Sequence, residues 1–293
     1  MSGGSPLRGR TAVVTGAARG VGERVALALA RRGARVALLG HEEAELARVA
    51  ARCREAGGAA HPWRADVTDE RRMTAVAGEV ERRLGPASVV VANAGIAAGG
   101  PFDRTAPDTW RRIVEVNLVG SAVTARVFLP ALSATHGYYL QISSLAALAP
   151  APMMTAYAAS KAGVEAFTHA LGAEVAHRGV AVGVARLTWH DTGMIRAADD
   201  YRVMRELRHR MAWPASRVHR VDRVGERLAR GIERRSAVVS LPPWLRLVEA
   251  ARPLLPAVVT LRARRTLSHL DEHDLTPTDL LGPGGAADLT RPR

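Results

Sequence analysis

Lysine is nearly missing from this chain. Of its 41 Lys and Arg residues, only Lys161 is lysine, and there are two asparagines, Asn93 and Asn117, one glutamine and one cysteine. A single thiol, Cys53, excludes an intrachain disulfide and fits a reducing, cytoplasmic setting. Aromatic residues are only 4% of the chain against 47% hydrophobic residues in all, so a large core has to be built from Ala, Val and Leu. No apolar run reaches 18 residues, and Met1–Pro6 lacks the apolar stretch of a secretory signal, so neither a spanning helix nor a leader is expected. Where arginine is written for nearly every cation, a lone lysine marks a place that arginine cannot fill.

Acidic residues are also short in number, 28 against 41 basic, and the imbalance is local. Residues 202–265 hold 16 Arg and five acids, net +11, whereas 266–293 hold two Arg and five acids, net −3. A nucleic-acid partner would need a reading motif as well as charge. None is present, so nucleic acid is not expected.

Residues 10–200 alternate short apolar runs with longer amphipathic stretches. Ala12–Thr15, Arg35–Leu39, Ala60–Ala65, Ser88–Ala92, Tyr138–Ile142 and Val180–Arg186 read as strands. Between them lie helical patterns over 20–32, 42–56, 69–84, 107–132 and 155–178, and a further helix (221–235) and strand (237–241) follow. The pattern predicts an α/β fold with a doubly wound parallel sheet in a single domain over residues 1–241. Residues 242–265 form an apolar and basic helical extension broken by Pro253 and Pro256, and 266–293 read as a disordered tail from their Pro, Gly and Asp content. Trp244, Leu247, Val248, Ala251, Leu254, Leu255 and Val258 recur at helical spacing in the extension. That stripe fits packing on the chain's own domain near the active-site rim, which is the reading favoured, but also a subunit interface or an anionic membrane. His269 and His273 stand at i, i+4 spacing, but no third ligand is identifiable, so no metal is expected.

Thr15-Gly-Ala-Ala-Arg-Gly-Val-Gly22 joins the first strand to the first helix. Gly16, Gly20 and Gly22 let a pyrophosphate approach bare backbone at a helix N-terminus. Tyr157 and Lys161 lie four apart on a helix, where an ammonium can lower the pKa of a phenol. These elements resemble the short-chain dehydrogenase/reductase family, with its Thr-Gly-x-x-x-Gly-x-Gly turn and Tyr-x-x-x-Lys pair. Ser144, 13 residues before Tyr157, Asn117, the Asn93-Ala94-Gly95 run and the Asp66-Val67 pair match further family motifs in the same order, over residues 8–200. The resemblance implies a Rossmann-type fold and an NAD(P)-dependent oxidoreductase acting between a carbonyl and an alcohol. It implies that Tyr157 is general acid/base, that Ser144 holds the substrate oxygen, that Lys161 binds the nicotinamide ribose, and that Asn117 supports a proton path. The cofactor would lie on Thr15, Gly16, Arg19, Gly20, Val21, Gly22, Gly40, His41, Asp66, Val67, Asn93, Ala94, Gly95, Tyr157, Lys161 and Thr192.

Two features stand apart from the family pattern. Leu187-Thr188 replaces the usual Pro-Gly, and the chain continues beyond the usual last strand. Gly40, where an acid would accept the ribose 2′-OH of NAD, has no side chain, and Arg19 supplies a cation, so NADP(H) is expected in preference to NAD(H). Leu145, Met153, Met154, Trp189 and His190 are the candidate substrate pocket, for a hydrophobic ketone, aldehyde or alcohol. A homo-oligomer is the expected assembly. Non-redox lyase or cyclase chemistry on the same fold, or a cofactor-binding regulator, are the alternatives.

Overall fold

Apolar residues on this chain's strands fall alternately on two faces, and each face has its own helical cover. The computed structural model describes residues 4–269, 271 and 275–290. Seven parallel strands, β1 (Thr11–Thr15), β2 (Arg35–Gly40), β3 (Ala59–Arg64), β4 (Ala87–Ala92), β5 (Tyr138–Ser144), β6 (Ala181–Leu187) and β7 (Val238–Leu241), form one sheet in the order β3-β2-β1-β4-β5-β6-β7. Ala12, Val14, Leu38, Val89 and Val91 face one core, which α1 (Gly20–Ala30), α2 (Glu43–Glu55) and α9 (Asp222–Glu233) cover. Val13, Ala37, Leu39 and Val90 face the other, under α3 (Glu70–Leu84), α4 (Pro107–Val114), α5 (Gly120–Ala134) and α6 (Thr155–Val175). Each fully buried Val or Leu contributes about 1.5–3 kcal/mol, so strands apolar on both faces are stable only between two helical layers.

The order reverses between β1 and β4, where Thr11–Val14 pair with Ala87–Val91. At such a switch point the loops leaving the carboxyl ends part and open a crevice. Helices α4 and α5 are continuous through one π turn at Glu115–Val119, and Asn117 sits in that turn. Residues 107–134 are long and apolar enough to cross a membrane, but Asn117, Phe128 and Leu132 are buried against the sheet, as in a core helix.

Two short helices not foreseen from the sequence, α7 (Gly193–Asp200) and α8 (Arg202–His209), follow β6. The extension forms α10 (Leu245–Ala250), a 3₁₀ turn at Arg252–Leu254 that contains Pro253, and α11 (Leu255–Leu267). The expectation of a disordered 266–293 is corrected for residues 275–290. Residues 275–290 run back across the domain and end in α12 (Gly282–Leu289), which packs on α7. Thr278 and Leu281 donate backbone hydrogen bonds to Gly99 and Ala97, both 2.7 Å, and Leu280 and Leu281 are buried. A segment so rich in Pro and Gly holds its shape through these long-range contacts, which local composition does not record. His273 of the two-histidine motif lies outside the described residues.

Candidate active site

The groove at the switch point begins in the β1–α1 turn. Gly16 and Gly20 have φ of +62° and +56°, in the left-handed region that other residues adopt at a cost. A Cβ on Gly22 would stand 2.2 Å from the Gly16 carbonyl oxygen and 2.6 Å from Asn93 Nδ2, so only glycine permits the turn. Arg19, at the N-cap of α1, makes no side-chain cap, and the first N–H groups of the helix face the groove without a side-chain acceptor. Thr15 and Asn93 clasp the two sides of the crevice. Thr15 Oγ1 accepts from the N–H of Asn93 (3.0 Å) and Ala94 (3.1 Å), and Asn93 Nδ2 donates to the carbonyls of Thr15 and Gly16. These two residues shape the turn, and the bare backbone between them is left for a ligand.

At the outer end, Gly40, His41 and Val67 line the groove. Asp66 lies just outside it, with its carboxylate already bonded to Thr68 and, at 2.9 Å, to Arg112. Arg112 also holds Asp288 of α12 through two hydrogen bonds of 2.6 and 2.9 Å. His41, Asp66 and Asp288 are close enough together to suit a metal, but the Arg112 guanidinium bridges both carboxylates and supplies the positive charge there. Arg19 is paired through two nitrogens with Glu42. Sequence reasoning passed over Glu42, Arg112 and Asp288. Glu42 stands two residues beyond Gly40 and was open to notice, whereas the other two come from distant parts of the chain.

At the inner end, Ser144, Tyr157, Lys161, Thr188, His190 and Thr192 share the groove wall. Strand β5 delivers Ser144 at its last position, and α6 places Tyr157 and Lys161 one turn apart, with Lys161 Nζ 5.6 Å from the centre of the tyrosine ring. Lys161 Nζ donates to the Ile142 carbonyl at 3.2 Å. Burial pushes the Lys161 ammonium down to about 8. Burial also raises the Tyr157 phenol, and a hydrogen bond with Ser144 works in the opposite direction. The Asn117 side chain is fully used. Its Oδ1 accepts from Ile96 N–H (2.8 Å) and its Nδ2 donates to the Ile96 carbonyl and to Ser160, both 3.0 Å. It therefore ties the loop carrying Asn93–Gly95 to α6. Thr188, one of the two residues at the unusual Leu187-Thr188 position, has a buried hydroxyl that hydrogen-bonds to no described residue.

The expected substrate residues divide. His190 lines the groove and its Nδ1 lies 2.9 Å from the Thr188 carbonyl; burial lowers its pKa. Met153 and Met154 form an apolar cluster with Ala97, Met204 and Leu281 that packs against Tyr157, and Met153 holds a φ of +65°. Leu145 and Trp189 do not line the groove. Leu281, Pro283, Gly284, Ala287 and Asp288 do, so residues 281–288 form one wall of it, and the 242–265 extension forms none.

An extended groove with bare glycine backbone at a helix N-terminus, an unpartnered hydroxyl and a Tyr–Lys–Ser group at its inner end fits a nicotinamide dinucleotide. The profile of the short chain dehydrogenase family matches residues 10–202, and the chain belongs to that family. It is 36% identical over 177 residues to a short chain dehydrogenase of Pseudocercospora fijiensis, a match that covers 59% of this chain and 57% of that one. It is 33% identical to a cis-4-hydroxycyclohexanecarboxylate dehydrogenase of Sinomonas cyclohexanicum, over 77% of this chain and 90% of the relative. Among solved structures, a metagenomic short-chain oxidoreductase in complex with NADP is 35% identical, with a TM-score of 0.59 over 61% of this chain and 82% of the other.

Proposed function

We propose that this protein is an NAD(P)-dependent oxidoreductase of the cytoplasm that interconverts a carbonyl and an alcohol on a hydrophobic small molecule. The meeting of Ser144, Tyr157 and Lys161 at one end of a dinucleotide-sized groove carries this reading. A nicotinamide held in the groove would supply or accept the hydride. Tyr157 gives its phenolic proton to the developing alkoxide during reduction and takes one back during oxidation. Ser144, which shares the groove wall with Tyr157 and works to lower the pKa of its phenol, would hold the substrate oxygen beside it. Lys161 acts through its charge, which favours the phenolate and would hold the ribose hydroxyls of a bound dinucleotide. Asn117 is a positioning residue, since every polar atom of its side chain is bonded within the protein. The cluster around Met153, Met154, Met204 and Leu281 gives the substrate side an apolar wall.

NADP(H) is the preferred cofactor in this reading. Gly40 offers no carboxylate to a ribose 2′-OH, and Arg19 can exchange Glu42 for a 2′-phosphate. The metagenomic relative in complex with NADP is consistent with this choice. The test is reduced-nicotinamide absorbance during turnover of a panel of hydrophobic ketones, aldehydes and alcohols. Tyr157→Phe and Lys161→Arg are expected to lose about 10²–10⁴ of the rate. Near-normal turnover in either variant refutes the mechanism. A kcat/KM that favours NADH refutes the cofactor choice alone.

A further inference from the structure

The extension 244–267 has an inner and an outer side. Inside, Leu245 is fully buried, Glu249 of α10 pairs with the buried Arg186 at 2.8 Å, and Arg252 reaches Glu165 at 3.8 Å. Val259, Ala263 and Leu267 of α11 stand over Ala158, Ala159 and Ala162 of α6 across an apolar crevice. These contacts fix the orientation of the extension. Outside, large apolar side chains face solvent: Leu247 is 75% exposed, Leu254 68%, Leu261 54% and Val258 47%. Leu254, Val258, Leu261 and Arg265 are spaced as i, i+4, i+7 and i+11, which is one face of a helix.

Arg246, Arg262 and Arg264 flank that face and Arg265 ends it, and none of the four forms an ion pair with a described residue. Over 244–267 the only acid is Glu249, and it is committed to Arg186. An exposed apolar row edged by cations of one sign matches the boundary of an anionic bilayer, with aliphatic side chains among the acyl chains and guanidinium groups on phosphates. A second copy of the chain fits less well. A two-fold interface uses the same patch twice, and would set this uncompensated arginine cluster within a patch that brings no acids to meet it.

We propose that the outer face of residues 244–267 is a peripheral docking surface for anionic phospholipid membranes. The proposal does not depend on the reaction assigned above.

The test is flotation of the full-length protein with phosphatidylcholine vesicles, with and without phosphatidylglycerol. Binding is expected only to the anionic vesicles and is expected to weaken as salt rises. Arg262→Gln/Arg264→Gln/Arg265→Gln is expected to lower partitioning by about 100-fold, and Leu254→Asp/Val258→Asp to abolish it. Because the protein is basic overall, the control removes the same charge elsewhere. Arg71→Gln/Arg82→Gln/Arg83→Gln on α3 is expected to keep binding within a few-fold. Equal loss in that control, or no binding to anionic vesicles at low salt, overturns the proposal. So does a sedimentation equilibrium dimer that Leu254→Asp/Val258→Asp splits while vesicle binding is absent from the parent protein. If the aspartate variant proves unfolded by circular dichroism, the arginine variant and its control decide alone.

Discussion

Replacing Asp288 with alanine would cut the tie between α12 and the body of the protein without touching the groove's inner end. Asp288 is 5% exposed and takes two charge-assisted hydrogen bonds from Arg112, at 2.6 and 2.9 Å. Hydrogen bonds to charged groups are worth about 1.5–3 kcal/mol each. Arg112 keeps Asp66, Thr68 and Glu115, so it is not stranded, and the net loss is about 2–3 kcal/mol of docking energy. That corresponds to about a 30–150-fold rise in the population with residues 275–290 detached. The opening is local, so the main thermal transition moves little. Hydrogen exchange is the assay, read at the amides of Thr278 and Leu281, which donate to Gly99 and Ala97. Because residues 281–288 wall the groove, the KM for the dinucleotide is expected to rise about tenfold, roughly the part of the docking energy shared with the ligand. If exchange quickens as expected and KM stays level or falls, the segment obstructs the groove rather than completing it, and the reasoning fails.

Other perturbations test separate parts of the structure. Arg186 and Glu165 are both about 1% exposed and meet at 2.9 and 3.1 Å, so Arg186→Met leaves a buried carboxylate and is expected to cost about 3–5 kcal/mol, read as a lower urea midpoint. A midpoint unchanged within error would show the pair to be dispensable. Gly22→Ala forces a methyl group 2.2 Å from the Gly16 carbonyl oxygen and is expected to abolish dinucleotide binding measured by fluorescence titration, with a stability cost of about 1–3 kcal/mol. Burial holds the Lys161 ammonium at about 8, so kcat/KM for reduction is expected to fall as pH rises through about 8, and a profile flat to well above that value argues against a charged Lys161 in the free enzyme. The same depression means that the unfolded chain binds the extra proton between about 8 and the ordinary lysine value. Stability therefore rises with pH across that window, and Lys161→Met is expected to melt higher than the parent protein at neutral pH.

Much of the fold was legible because strand and helix periods alternate cleanly. The Tyr138–Ile142 and Val180–Arg186 runs lie within a residue or two of β5 and β6. The site residues that drew attention were marked by scarcity and spacing: Lys161 as the lone lysine, Asn93 and Asn117 as the only asparagines, and the glycines of the first turn. What escaped was held by distance. Helices α7 and α8 are eight residues each, too short for their periodicity to stand out. Residues 275–290 looked unable to order because Pro and Gly raise the entropic cost of fixing them. That cost is offset by Leu280 and Leu281 entering the core and by Asp288 meeting an arginine 176 residues away. The local signal was a Leu-Leu pair ahead of Gly-Pro, a helix start that sequence reading set aside as tail.

The buried lysine makes the protein a single-site chemical sensor of its own groove. No other side chain carries a primary amine, and Lys161 is 4% exposed on the groove wall. With its pKa at about 8, a substantial share of it is unprotonated and nucleophilic in mildly alkaline buffer. Among side chains, a small acylating reagent or aldehyde can therefore form a lasting amide or an imine only at this nitrogen. The rate at which the Lys161 peptide gains that mass would report whether the groove is filled, and a reactive aldehyde substrate would meet the same nitrogen as a competing imine former.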